Sequence, residues 1–441
     1  MLRTLFLDLN SYFASVEQQV QPSLRAHPIA VAPITSDSGC CIAASIEAKR
    51  FGVKTGMRVG EARRLCPDIA IVDARPRLYV HMHHRVLRAI DALIPVDKVH
   101  SIDEVSCRLD RSQRTAEACT ALALAIKQSI ASRCGVMMRC SIGCAPNRTL
   151  AKLGTDLKKP DGLVIFRDED LPHAIAHLSP QELSGIGPAI MKRLQNAGIL
   201  TIGDLLARSE SNMHELWGGV LGDRWYHILR GEEVTEPRTR KNYIGHQHVL
   251  APDMRSPEAA RSVGVRLLLK AAARMRHENL AARRISLGLR FQGDQPGPST
   301  WKGPSWDHAA TLGDGCTDSQ TMLDALQRLW AHAPERPIVQ VGVTLSELVP
   351  PASLTLPLFT DQSRRENLSR AMDAVNKKFG ANKVYTANMH DARTHGSGGI
   401  AFNYVPDLAV TDSVQSRQRA GAHPPMSDAE MEALLDWSLT Q

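Results

Sequence analysis

Two adjacent acids, Asp103 and Glu104, lie within Val99-His100-Ser101-Ile102-Asp103-Glu104-Val105, an otherwise strand-like run. Around them Val99, Val105, Cys107 and Leu109 alternate with polar residues, the pattern of half-buried β structure. Carboxylates there are costly unless they are paired, hydrated or bound to a metal. Neighbours on a flat strand point to opposite faces, so both acids reach one ion only at a bend or strand end. The extra methylene of Glu104 helps it curl back. A third acid, Asp8, closes the apolar run Leu5-Phe6-Leu7-Asp8-Leu9. Three acids from two strands, with no His or Cys beside them, make an oxygen-ligand site for a hard cation such as Mg²⁺. The same spacing also suits strand-end caps and turn acids.

The elements that must position these acids follow from periodicity. After Asp8 comes Asn10-Ser11-Tyr12-Phe13-Ala14-Ser15-Val16-Glu17, with Ser11 as helix N-cap and Tyr12, Val16 and Val20 at helical spacing. A helix starting just past the acidic strand aims its amides at the metal site, which suits a phosphate. Short strands are expected at Ile29–Ala32 and Gly39–Ala44, then a helix over Ser45–Phe51 ended by Gly52. Tyr79–Leu93 and Ala116–Ile130 read as helices, and the alternation Val136-Met138-Cys140-Ile142 as a strand. Of His81, His83 and His84, only 81 and 84 share a helix face, so a solvated face is expected there rather than a metal cluster. These elements describe an α+β sheet with helices on one face.

Lys159 precedes Pro160 where a helix stops. It suits either triphosphate oxygens or a helix C-terminus. Leu183-Ser184-Gly185-Ile186-Gly187-Pro188, followed by Met191–Leu194 and Gly198–Leu206, reads as helix–hairpin–helix. Gly185 and Gly187 allow a tight turn whose amides hold a phosphate without reading sequence. Gly231–Lys241 is a charged linker, and Tyr243–Gln292 reads strand–helix–strand. Leu354–Phe359 is an apolar segment suited to an edge strand or a docking peptide. The tail from Asp412 is Ser/Gln/Arg-rich with a helical pattern only over Asp428–Leu439, so partial disorder is expected.

The chain has 441 residues, room for two to four domains, with 43% hydrophobic and 22% charged residues. A net charge of +7 favours nucleic acid as partner when it is clustered. Clustered it is: Arg255, Arg261, Arg266, Lys270, Arg274, Arg276, Arg283, Arg284 and Arg290 face only Asp253, Glu258, Glu278 and Asp294. The nine cysteines lack a CxxC pair and read as packing thiols of a reduced, cytoplasmic protein. No signal peptide is evident and no apolar run reaches membrane-spanning length.

Taken together, Asp8–Glu17, Ser101-Ile102-Asp103-Glu104, Ser141-Ile142-Gly143 through Lys159-Pro160-Asp161-Gly162, and the Gly185-Ile186-Gly187 hairpin occur in family order. They resemble the Y-family (translesion) DNA polymerases over roughly residues 1 to 350. Gly39–Lys49, Lys377–Gly380 and Ile400–Phe402 look more like the bacterial polymerase V catalytic subunit than polymerase IV.

The resemblance implies a right-hand α+β fold. Its palm would be 1–10 and 75–165, its fingers 11–74 and its helix–hairpin–helix thumb 166–236. An α/β little finger would follow over 242–348, then a tail from 349 to 441. It implies two Mg²⁺ ions on Asp8, Asp103, Glu104 and the Leu9 carbonyl. The amides of Tyr12 and Phe13, with Lys49 and Lys159, would hold the triphosphate. Phe13 would gate the ribose 2′ position and Ile42 would lie over the nascent base pair. Gly185, Gly187, Arg283 and Arg284 would contact DNA, and Thr355, Leu356, Leu358 and Phe359 a sliding clamp. Primer–template DNA and a deoxynucleoside triphosphate are the implied substrates, and an accessory damage-response subunit a further partner. Two residues depart from the commoner pattern: Ile46 stands for a frequent Tyr, and Lys49 for an Arg with a bidentate fork. Two other readings are a non-catalytic DNA-damage accessory that binds primer–template, which the intact acids count against, and a nucleotidyl cyclase with a similar acidic sheet. The hairpin and the basic region disfavour the cyclase.

Overall fold

The computed structural model describes residues 1–235, 241–292, 303–354, 360–379, 383–385, 387, 390 and 426–441. The chain divides into two units, one built on Met1–Pro237 and Met426–Gln441, the other within Arg238–Ile400.

In the first unit the central strand is β1 (Thr4–Leu9). Its apolar run carries buried side chains in succession, as in a strand covered on both faces. Helix α1 (Tyr12–Val20) follows after two residues and is buried along its whole length. A small sheet comes next, with β2 (Ile29–Ala32) paired antiparallel to β3 (Ala43–Ala44) and parallel to β4 (Ala70–Asp73). Between them lie α2 (Ile46–Arg50) and α3 (Val59–Leu65). Ser45 caps α2 by accepting from the Ala48 amide, and Ala30, Ala44, Ala48, Val53 and Val59 form a core of small residues.

The chain then returns through α4 (Pro76–Asp91) to β5 (Val96–Val99) and β6 (Glu104–Arg108). Helix α5 (Ala116–Cys134), β7 (Cys140–Ala145), α6 (Arg148–Leu157) and β8 (Leu163–Ile165) complete a sheet of order β5-β6-β1-β7-β8. Strand β1 is antiparallel to both β6 and β7. Helical elements α7 (His173–Ala176), α8 (Pro188–Asn196), α9 (Ile202–Leu206), α10 (Glu210–Trp217) and α11 (Val220–Leu229) follow. They pack with α6 around Leu150, Leu183, Leu194, Ile202 and Leu229.

The second unit is one antiparallel sheet of order β11-β10-β12-β9 with helices on it. Its elements are β9 (Tyr243–Val249), α12 (Pro257–His277), β10 (Ala281–Phe291), β11 (Ser305–Cys316), α13 (Ser319–Trp330) and β12 (Ile338–Val349). Ile285, Leu287, Val341, Val343 and Leu268 lie in its core. Helix α14 (Thr360–Phe379) follows, tied to α12 by Arg276 and Asp373 at 2.6 Å. Far downstream, α15 (Asp428–Leu439) belongs to the first unit.

Several expectations change. Helices cover both faces of the five-stranded sheet, not one. A Cβ on Gly143 would come within 2.0 Å of the Ala151 carbonyl on α6, while its neighbour Cys144 hydrogen-bonds Cys119 of α5. Adjacent strand residues point oppositely, so α5 and α6 lie on opposite faces. Strand β7 begins at Cys140 rather than Val136, because Gly135 (φ 106°) ends α5 and a turn follows; Val136 is 63% exposed. The segment from Gly39 forms a strand only at its end, with Cys40 bridged singly to Arg58. Ser11 precedes α1 in the left-handed region (φ 50°), and its hydroxyl makes no cap. His81 and His83 are not on a solvated face, being 2% and 1% exposed. Helix α15 covers the first of them. The tail helix appears where its pattern placed it, whereas residues 412–425, where disorder was expected, lie outside the described residues.

Candidate active site

Asp8 sits near the end of β1, 6% exposed, with Glu104 directly opposite it on β6. Asp103 occupies the bend just before β6, the one geometry that lets neighbouring acids serve one place. Its carbonyl accepts from the Leu9 amide at 2.8 Å, which fixes the bend to the end of β1. Ser101 Oγ donates to Asp103 Oδ1 at 2.5 Å. Burial pushes the Asp103 carboxyl above its ordinary value; the Ser101 bond opposes this, and the charges of Asp8 and Glu104 add to it.

Two ammonium groups enter this acidic cluster. Lys152 Nζ of α6 lies 2.5 Å from Asp8 Oδ2, 2.9 Å from Glu104 Oε1 and 3.3 Å from Asp156 Oδ2. Lys159 Nζ lies 2.8 Å from both Asp8 Oδ2 and Asp156 Oδ1. Burial works against the Lys152 charge, yet Asp8, Asp156 and Glu104 hold its proton well above the ordinary lysine range. Lys49, in the last turn of α2, is lowered by partial burial and by Lys159, with Asp8 and Asp103 pulling the other way. Thus Lys49 and Lys159 share one neighbourhood with the acids.

Sequence reading missed Lys152. Its signal was the Lys152–Asp156 spacing on a helix entering from Asn147, one turn apart on one face. It also missed Asn10, whose amide donates to Ser141 Oγ at 3.0 Å and accepts from the Asp161 amide at 2.7 Å. That residue ties the end of β1 to the loop beside Lys159.

The aromatic side of the site is equally ordered. Phe13 is buried and stacks on Tyr79 of α4, ring centroids 4.6 Å apart, while Tyr12 Oη donates to the Tyr79 carbonyl at 2.6 Å. Tyr79 Oη donates to the fully buried Glu17, which Arg75 neutralises through Nε at 3.1 Å and through Nη2. His83 Nδ1 donates to the Ile102 carbonyl at 2.7 Å, next to Asp103. Burial lowers that imidazole to about 4, so it stays neutral.

The remaining candidates are spread over both units. Ile42 is half-buried, its amide bonded to the Val31 carbonyl at 2.8 Å, and Ile46 opens α2. Gly185 (φ 105°) and Gly187, the residue before α8, are exposed in the hairpin. Arg283 and Arg284 are exposed on β10 of the second unit, Arg283 Nε donating to the Asp314 carbonyl at 2.9 Å. Thr355, Leu356, Leu358 and Phe359 lie outside the described residues. All nine cysteines are free thiols and eight are buried, which suits packing. Among the described residues no helix is long and apolar enough to cross a membrane.

As the side chains stand, no three His, Cys, Asp or Glu among the described residues converge on one metal position. Asp8 and Glu104 close instead on an ammonium, and Asp103 on Ser101. An all-oxygen donor set already gathered around a stand-in cation fits a hard divalent ion.

Residues 7–156 match the family model described as impB/mucB/samB family, and residues 241–358 its C-terminal domain. DNA polymerase IV of Moorella thermoacetica is 32% identical over 393 residues, spanning 87% of this chain and 95% of the relative. DNA polymerase IV of Pelotomaculum thermopropionicum is 31% identical over 390 residues, spanning 87% and 94%. A solved Y-family DNA polymerase chimera of Dbh and Dpo4 shares the fold at TM-score 0.65 and 23% identity, covering 79% of this chain and 99% of its own. The chain belongs to the Y family of DNA polymerases. Both relatives carry the name polymerase IV, so the leaning toward the polymerase V type finds no support in them.

Proposed function

We propose that this chain is a template-directed DNA polymerase of the translesion type, extending a primer 3′-end with deoxynucleotides during DNA damage tolerance. The observation that carries this reading is the pairing of Asp8 with Glu104 across two strands, beside Asp103, around a cation. Asp8, Asp103, Glu104 and the Leu9 carbonyl would hold two Mg²⁺ ions. Such ions, when bound, lower the pKa of the primer hydroxyl and stabilise charge on the α-phosphate and the leaving pyrophosphate.

The chain's own residues do the rest. Lys159 and Lys49 neutralise triphosphate oxygens, and the first-turn amides of α1 face the same charge. Phe13, held flat against Tyr79, leaves room for a 2′-hydrogen and none for a hydroxyl. Ile42 covers the nascent base pair. On this reading 1–10 and 75–165 form the palm, 11–74 the fingers, 166–236 the thumb and 242–348 the little finger. The amides at Gly185 and Gly187, with Arg283 and Arg284, take DNA phosphates without reading sequence. Thr355, Leu356, Leu358 and Phe359 make a sliding-clamp peptide, and the cytoplasm is the compartment of work.

Single-nucleotide primer extension with Mg²⁺ tests the reading, on undamaged and damaged templates, with and without clamp. Extension that depends on Asp103 supports it. Tight primer–template binding with no extension would instead make the chain a non-catalytic accessory. Loss of clamp stimulation on truncation after Val349, with basal extension kept, tests the peptide.

A further inference from the structure

Helix α15 returns to the first unit and packs on α1, α4 and α5. It is well specified locally: Ser427 and Glu430 form a reciprocal capping box at its start. Met431, Leu435 and Ser438 are buried on its inner face. Its acids meet a basic row on α4. Arg77 Nη2 lies 2.6 Å and His81 Nε2 2.8 Å from Asp428 Oδ1, His81 Nδ1 lies 3.3 Å from Glu432 Oε1, and Arg85 pairs with Asp436. At its far end the Ser438 carbonyl accepts from Gln19 Nε2 of α1 at 2.8 Å. Gln19 Oε1 in turn accepts from the Met137 amide at 3.1 Å, just beyond α5.

The two helices held in this way both carry site residues at their other ends or faces. Helix α1 opens with Tyr12 and Phe13; α4 presents Tyr79 to Phe13 and His83 to the Ile102 carbonyl. Packed interiors transmit displacement, so a clasp on their outer side constrains the inner one. We propose that α15 is a positioning element of the polymerase site, clasping α1 to α4 so that Phe13 and the Ile102–Asp103 bend keep their places. This rests on the polymerase reading for its kinetic consequence, though not for its structural one.

The test uses the full chain with Arg85→Glu, Asp436→Arg and both together, the double variant restoring opposite charges. Amide hydrogen exchange is followed over 428–439, 12–13 and 102–104, beside a melting curve and the deoxynucleotide KM. Each single variant should lose protection over 428–439 and, with it, at 12–13 and 102–104. KM should rise about fivefold, the low end for coupled sites, with ribonucleotide discrimination relaxed. The double variant should regain all of these. Met431→Asp, which breaks the apolar contact instead, should act like the single variants. If α15 loses protection while 12–13, 102–104 and KM stay unchanged, the proposal is overturned. An unprotected α15 in the unaltered chain overturns it too. If the unaltered chain does not extend primers, the polymerase reading fails, and exchange at 12–13 and 102–104 still decides the clasp.

Discussion

Replacing Lys152 by Met should tighten divalent-cation binding in the absence of nucleotide and DNA. Its ammonium stands 2.5 Å from Asp8 and 2.9 Å from Glu104. At an effective dielectric near 20, each contact is worth about 6 kcal/mol before desolvation. Burying the ions returns most of that, leaving roughly 1–3 kcal/mol of net attraction for a charged hydrogen bond. Because its proton is held well above the ordinary lysine range, Lys152 stays charged at any workable pH. An arriving cation must therefore displace an ammonium, not a neutral amine. Met keeps the stem that carries Nζ over the Phe6 ring, 5.7 Å from its centroid, and removes only the charge. Since about 1.4 kcal/mol is tenfold in affinity, Mn²⁺ should bind about 10-fold tighter or more. The assay is titration of the free-ion EPR signal with protein alone. Metal-free K152M should also melt below the unaltered chain and be raised more by Mn²⁺. Equal or weaker Mn²⁺ binding would refute the idea that Lys152 holds the metal's place.

Four further outcomes are expected. Asp103→Ala or Glu104→Ala should abolish nucleotide addition while leaving primer–template affinity nearly intact, read by extension and by anisotropy. Phe13→Ala should raise the ribonucleotide-to-deoxynucleotide ratio of kcat/KM by orders of magnitude; a purely packing phenylalanine would instead cost about 3–5 kcal/mol of stability with the ratio unchanged. Burial lowers His83, His100, His246 and His248 each to about 4. Their folded pKa values lie below the unfolded value near 6.5, so this stability is present above pH 6.5 and is lost as pH falls toward 4. His83→Gln should shallow that decline in denaturant titrations at stepped pH. Gly143→Ala should lower the melting temperature sharply, since the added carbon would meet the Ala151 carbonyl at 2.0 Å and overpacking typically costs about 1–3 kcal/mol.

The acid-bearing strands were readable because their pattern is local. Asp8 ends an unbroken apolar run and Asp103-Glu104 interrupts an alternating one, so local pattern alone put three acids on two strand-like runs. The second unit's strand–helix–strand opening was readable for the same reason, its periods being long and clean. What escaped the sequence depends on partners far along the chain. The histidines of α4 look solvated until α15 covers His81 and the Ile102 carbonyl reaches His83. Nothing local marks Glu17 as a fully buried acid; Arg75 neutralises it and Tyr79 Oη donates to it, both from more than fifty residues away. Lys152 looks like an ordinary helix lysine until α6 is laid across β1 and β7. Helices on both faces were hinted at by the unbroken apolar character of Leu5, Phe6 and Leu7, which a one-sided sheet does not need.

The clasp by α15 also sets an order of events during synthesis. The face of α1, α4 and α5 is complete once the first third of the chain has emerged, at Cys134, yet its cover begins only at Asp428, roughly 290 residues later. At about 5–20 residues per second, that face waits on the order of 15–60 s with its arginines and its apolar seat for Met431 and Leu435 bare. A nascent chain in that interval presents a basic groove with an unfilled hydrophobic centre, the kind of surface a holding chaperone or a neighbouring nascent chain's acidic tail would occupy. Ribosome-bound chains stopped before Met426 would carry that face open.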